Sequence, residues 1–159
     1  MNVKHISILA IISIALLIIC PVQAFNVNQL TYSVAEDGSA IVTANYEMSF
    51  LEKIGLAVPT VKDEVINAVK TEYGSTAEVV SISETDAELA IPNFADKYDT
   101  YMQTPCLNFT KIQSRMNAYW FIGVLDIDYS PTTTTVKFYN GQEYNYDNQV
   151  FIPSITQNI

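Results

Sequence analysis

Two stretches of this chain alternate apolar and polar residues with a period of two and turn back on themselves at a glycine. In the first, Leu30, Tyr32, Val34, Ala40, Val42, Ala44, Tyr46 and Met48 take the even positions, while Thr31, Ser33, Ser39, Thr43, Asn45 and Glu47 fall between them. That pattern describes two half-buried strands. A three-residue loop, Glu36-Asp37-Gly38 with Gly38 left-handed, sets Val34 beside Ala40 and Tyr32 beside Val42. A two-residue loop would pair apolar with polar positions, so the hydrophobic pattern selects the register. The second stretch repeats the device around Tyr139-Asn140-Gly141, between strands expected over 132–138 and 142–151. Phe138, Val136, Tyr144 and Tyr146 then share one face, and Lys137 opposes Glu143 on the other.

Between these hairpins the period changes. Val61, Val65, Val69 and Tyr73 recur every four residues after Pro59 and Thr60, with Asp63 answering Thr60 as a capping pair and Gly74 at the C-cap. An amphipathic helix is expected there. A second is expected from Phe109 to about Tyr119, carrying Phe109, Ile112 and Met116 on its apolar stripe, with Asn108 placed to cap it. A further strand pair is read at 77–83 and 87–91, with a turn at Thr85-Asp86 that brings Ile82 opposite Leu89. Residues 92–104 read as irregular, with Tyr98 and Tyr101 on a short edge strand, and are the natural place for a functional loop. The predicted fold is therefore α+β: an antiparallel sheet of β-hairpins in the order ββ-α-ββ-α-ββ, with two amphipathic helices on one face.

The first 24 residues belong to no such element. Lys4 and His5 precede an apolar run from Ile6 to Ile19, with only Ser7 and Ser13 polar, and the segment ends on Val22-Gln23-Ala24. Positive start, apolar centre and small-residue end are the three parts of a secretory signal, with cleavage expected before Phe25. The alternative is an uncleaved anchor, although the run falls short of the roughly 20 apolar residues of a spanning helix. Residues 25–159 are then one domain, secreted or held at the cell surface. Cleavage would remove His5, the sole histidine, and Cys20, leaving a mature chain with no histidine and one cysteine. Histidine-dependent nucleophilic sites, histidine-ligated zinc and an internal disulfide are excluded for that chain. Cys106 reads as a buried small hydrophobe, with intermolecular pairing or a reactive thiol as the alternatives.

Charge narrows the partners. Loss of Lys4 leaves seven basic residues against 17 acidic ones, a balance of −10 that repels phosphate backbones and argues against nucleic acid. Among the chemistries still open, Asp126 and Asp128 stand two apart, so a strand would present both carboxylates on one side. They are the weak candidates for a carboxylate-dependent hydrolase, set against the commoner case of a solvated strand face. Neither a calcium-loop pattern nor a glycine-rich phosphate cradle accompanies them, and no cofactor is expected. Asn108-Phe109-Thr110 is the one N-glycosylation sequon, usable once the chain is exported and in competition with the capping role of Asn108. The cluster Tyr119-Trp120-Phe121 reads as core, with sugar stacking or membrane docking as the alternative.

The runs Tyr119-Trp120-Phe121, Ser130-Pro131, Thr135 through Gly141 and Ile152-Pro153-Ser154 resemble the C-terminal half of small exported proteins of archaeal, methanogen-type genomes. Asp37-Gly38-Ser39-Ala40 followed by Phe50-Leu51-Glu52-Lys53 is similar to their N-terminal half. The resemblance implies export and an α+β layout and transfers no catalytic residue. The expected function is that of a non-enzymatic envelope or secreted module, acting on a cell-surface protein or glycan, or on its own copies through strand edges. A small extracellular hydrolase and a membrane-tethered accessory domain are the alternatives, the second requiring that the N-terminal segment stay uncleaved.

Overall fold

The computed structural model describes residues 26–48, 63, 66–67, 69–71, 73–117 and 130–158. The N-terminal segment 1–24, the capping residues 59–60 of the first expected helix, the cluster at 119–121, and Asp126 and Asp128 lie outside the described residues.

Its centre is a mixed six-stranded sheet made of three hairpins set side by side, in the order β3-β4-β2-β1-β8-β9. β1 (Asn26–Val34) and β2 (Ala40–Glu47) form the middle hairpin. β3 (Glu78–Ile82) and β4 (Asp86–Ile91) lie on the β2 side. β8 (Thr133–Phe138) and β9 (Glu143–Asp147) lie on the β1 side, and the join between β1 and β8 is parallel. Two smaller sheets lie beside it among the described residues. One takes β11 (Thr156–Asn158), β6 (Tyr101–Gln103) and β5 (Asp96–Lys97); the other pairs β7 (Leu107–Asn108) with β10 (Phe151–Ile152). Helical backbone occurs at the described positions within 63–73, here α1, and in α2 (Phe109–Met116).

The described residues are predominantly β with two short helices, so the expected α+β layout of an antiparallel sheet under two amphipathic helices does not hold. Two physical reasons account for the difference. Strands of two or three residues, such as β5, β6 and β11, are too short to show a period, so residues 92–104 read as irregular apart from a short edge strand, whereas β5 and β6 pair there and β6 pairs with β11. Parallel and antiparallel neighbours also demand the same alternation, so local pattern does not reveal that β1 and β8 run the same way.

Both glycine turns form as the alternation requires. Val34 pairs with Ala40 and Tyr32 with Val42; Val136 pairs with Tyr144 and Lys137 with Glu143. In the first turn Ala35 N donates to Ser39 O and Gly38 N to Ala35 O; in the second Phe138 N donates to Gln142 O and Gly141 N to Phe138 O. Gly38 and Gly141 have φ of 85° and 87°. The middle loop residue closes each turn with a side-chain oxygen: Asp37 Oδ1 accepts from Ser39 N at 2.9 Å, and Asn140 Oδ1 from Gln142 N at 3.2 Å. Hydrogen bonds from Ser39 hold the exposed Asp37 carboxyl below its ordinary range.

The β3–β4 register differs from the expected one. Ile82 pairs with Ala87, and Leu89 pairs with Val79, because a bulge lies between Val79 and Ser81 and the turn is centred on Glu84-Thr85. In place of a glycine, a polar network holds this turn. Ser83 Oγ accepts from the amides of Thr85 and Asp86 and donates to Asp86 Oδ1 at 2.7 Å. From β2, the Tyr46 hydroxyl lies 2.7 Å from the carbonyl of Ser83 and 2.9 Å from that of Asp86.

The core sits on the even face of β1, β2 and β8, where Tyr32, Val34, Val42, Val136 and Phe138 are buried. Phe94, Met102, Leu107, Phe109, Ile152 and Ile155 cover that face from the small sheets and the start of α2. Tyr32 and Phe94 stack with ring centroids 5.1 Å apart. A bulge between Val27 and Gln29 brings Val27 inside out of phase with the rest of β1. The C-terminal segment is tied to the body at Thr104: Thr104 N donates to Ile155 O, Ile155 N to Thr104 Oγ1, and Ser154 Oγ to Thr104 O at 2.6 Å.

Candidate functional site

Among the described residues the six-stranded sheet ends on β3 at one side and on β9 at the other, and the two edges are built differently. The bulge in β3 turns Val80 out, 56% exposed, and breaks the even row of groups that a further strand would need.

β9 is regular. Phe138 N donates to Gln142 O at one end of its hairpin and Asn148 N to Thr132 O at the other. Counting by twos between those points, Val136–Tyr144 and Thr134–Tyr146 are the pairs that exchange ladder bonds. Lys137–Glu143, Thr135–Asn145 and Thr133–Asp147 are the non-bonded pairs. The backbone N–H and C=O groups of Glu143, Asn145 and Asp147 therefore point away from β8, along the open side of the sheet.

The side chains of those same three residues turn back toward β8. Lys137 Nζ stands 2.7 Å from Glu143 Oε1, Thr135 Oγ1 donates to Asn145 Oδ1 at 2.7 Å, and Thr133 Oγ1 to Asp147 Oδ1 at 3.1 Å. Non-bonded pairs bring side chains closest, which is why three polar contacts follow one another here. They draw charge and hydrogen-bonding capacity inward, and among the described residues no strand pairs with the outer backbone of β9. The only described side-chain contact to that backbone is a long 3.5 Å approach of Gln149 Nε2 to Asp147 O. On the opposite face of β9, Tyr144 meets Phe138 edge to face and its hydroxyl donates to Gln157 Oε1 at 3.1 Å. Burial, and then Tyr144 beside it, raises the hydroxyl of Tyr146 above its ordinary range.

The other candidates fall elsewhere. Tyr98 and Tyr101 flank the β5–β6 turn, where Tyr98 N donates to Tyr101 O, and their rings stack at 4.4 Å with Tyr98 exposed. Cys106 is exposed, which corrects the expectation of a buried small hydrophobe: it stands between Thr104 and β7, outside the core face. Asn108 is exposed at the start of α2, and its Oδ1 accepts from Lys111 N at 2.9 Å, the expected helix cap. Among the described residues no three of His, Cys, Asp or Glu converge on a point where a metal ion could sit, and no helix is long and apolar enough to cross a membrane.

The open β9 edge was not singled out in the sequence. The signal that could have found it is the match of Thr133, Thr135 and Lys137 to Asp147, Asn145 and Glu143, a ladder of complementary polar pairs on one strand face. Compared with models of protein families, with curated proteins and with solved structures, the chain matches none.

Proposed function

We propose that the mature protein is an exported, non-enzymatic binding module of the cell envelope that takes an extended strand of a partner protein along β9. The observation that carries this reading is the outward row of backbone groups at Glu143, Asn145 and Asp147, on an edge whose own side chains are engaged with β8. Main-chain hydrogen bonds would supply affinity and alternate side chains the specificity. Export rests on the charge, apolar run and small-residue end of residues 1–24.

Charge selects the partner. Two copies of β9 paired antiparallel about Asn145 would set Glu143 of one against Asp147 of the other, and like charges directly opposed are destabilising. A foreign strand with Lys, Arg or Thr facing those positions meets no such penalty. The carboxylate-hydrolase reading has no support of its own, since Asp126 and Asp128 lie outside the described residues.

The test uses a short synthetic peptide that alternates lysine with tyrosine. Binding is read as slowed hydrogen exchange at the amides of Glu143, Asn145 and Asp147. Asn145→Pro removes the central outward N–H without cutting a ladder bond to β8 and abolishes binding; Asn145→Ala loses the contact with Thr135 but keeps the N–H and still binds. Equal binding by the proline variant, or three amides already protected in the free protein, would refute the proposal.

A further inference from the structure

The sequon at 108–110 sits at a junction of three elements. β7 ends on Asn108, α2 begins at Phe109, and β10 pairs alongside with Phe151 opposite Asn108 and Ile152 opposite Leu107. Phe109 N donates to Val150 O at 2.9 Å, which holds the two segments together. Asn108, Thr110, Lys111, Ser114, Val150 and Phe151 line an open groove on this surface. Ile152 faces the core, whereas Val150 and Phe151 are each 49% exposed. An exposed aromatic ring beside an exposed aliphatic residue is an apolar surface that nothing among the described residues covers.

Capping and modification of Asn108 are compatible in this geometry. The cap uses Oδ1, which accepts from Lys111 N, while Nδ2 donates to nothing among the described residues. An N-linked asparagine keeps its carbonyl oxygen, so the cap survives glycosylation. Thr110, the third residue of the sequon, is exposed and makes no described side-chain hydrogen bond, so its hydroxyl is available.

We propose that Asn108 carries an N-linked glycan whose first sugar lies in this groove against the ring of Phe151. In the transfer, Nδ2 forms a bond to the anomeric carbon of a lipid-phosphate-linked oligosaccharide. The bond from that carbon to the phosphate oxygen breaks, the amide loses a proton to the transferase's base, and the lipid phosphate leaves. The sugar's C–H face then covers apolar surface that the described residues leave bare, as aromatic rings do for amphipathic partners. This inference rests on the export proposed above, because the transferase and its donor act outside the cytosol.

The test begins with native protein collected from outside the cell membrane. Trypsin releases residues 98–111 as one peptide, and this peptide is expected to carry sugar mass at Asn108. Thr110→Ala should remove that mass, and Thr110→Ser should retain it. Thr110→Ala should also lower the melting temperature by about 3 °C when Phe151 is present, and by nothing measurable in a Phe151→Ala background. An exported chain beginning at Phe25 with an unmodified peptide overturns the glycan while leaving export standing. A chain that keeps residues 1–24 inside the cell overturns both. A glycan whose removal costs the same with and without Phe151 overturns the stacking.

Discussion

Gly38 and Gly141 hold the same place in the same kind of turn, yet they are not equivalent. A Cβ added to Gly141 would meet nothing within 4 Å, so Gly141→Ala incurs only the left-handed strain, about 1–2 kcal/mol. A Cβ on Gly38 would lie 2.5 Å from the carbonyl oxygen of Ala95, whose own amide donates to Gly38 O at 2.8 Å. Lys97 Nζ adds a bond to Glu36 O, so the whole tip of the first hairpin is docked on the 94–97 segment. Gly38→Ala must undo that docking as well, and a loss of about 3 kcal/mol or more is expected in denaturant titration. A smaller loss for Gly38→Ala than for Gly141→Ala would show that the docking adds nothing. Both glycines could be read from the alternation around them. The neighbour at Ala95 could not, because no short-range pattern links positions 38 and 95.

At the scale of the element, the β3–β4 turn shows how a sequence without a favoured turn dipeptide still makes a tight hairpin. Ser83, Thr85 and Asp86 bond among themselves, and Tyr46 reaches across from β2 to two of the turn's carbonyls. Tyr46→Phe leaves those carbonyls without the hydroxyl and is expected to cost about 1–2 kcal/mol. Hydrogen exchange should quicken first at β3 and β4 while β8 and β9 keep their protection; uniform quickening over the sheet would show that Tyr46 serves the whole core. The hairpins themselves were legible because six to nine alternating residues and a glycine leave few registers open. The bulge at Val80 was not, since five residues leave too little alternation to reveal one extra residue; it gives Leu89 the partner Val79 in place of Val80, while the turn at Glu84-Thr85 sets Ile82 against Ala87.

For the molecule as a whole, buried tyrosine sets the alkaline limit. Burial, with Tyr73 facing it, pushes the Tyr32 hydroxyl well above its ordinary range, and burial and then the Asp86 carboxylate push Tyr46 up to about 12. A raised folded value favours the protonated form in the native state. The stabilising contribution is therefore complete below the unfolded value near pH 10 and is lost as pH rises through about 12. The expected result is unfolding that coincides with a late rise in tyrosinate absorbance. A folded protein with every tyrosine ionised would contradict it. The candidate edge at β9 became visible only at this scale: its polar ladder lies in the sequence, but its position as the last strand depends on the parallel join of β1 to β8. That join has a kinetic consequence. Tyr32 and Val136 are partners 104 positions apart, so β1 gains its second neighbour only when the end of the chain is present. Contacts this distant close slowly, because the loop between them must be ordered first. An emerging chain that lacks β8 keeps its central strand half paired and the ring of Tyr32 half covered. If the chain is exported as proposed, its central strand stays incomplete until β8 has been made.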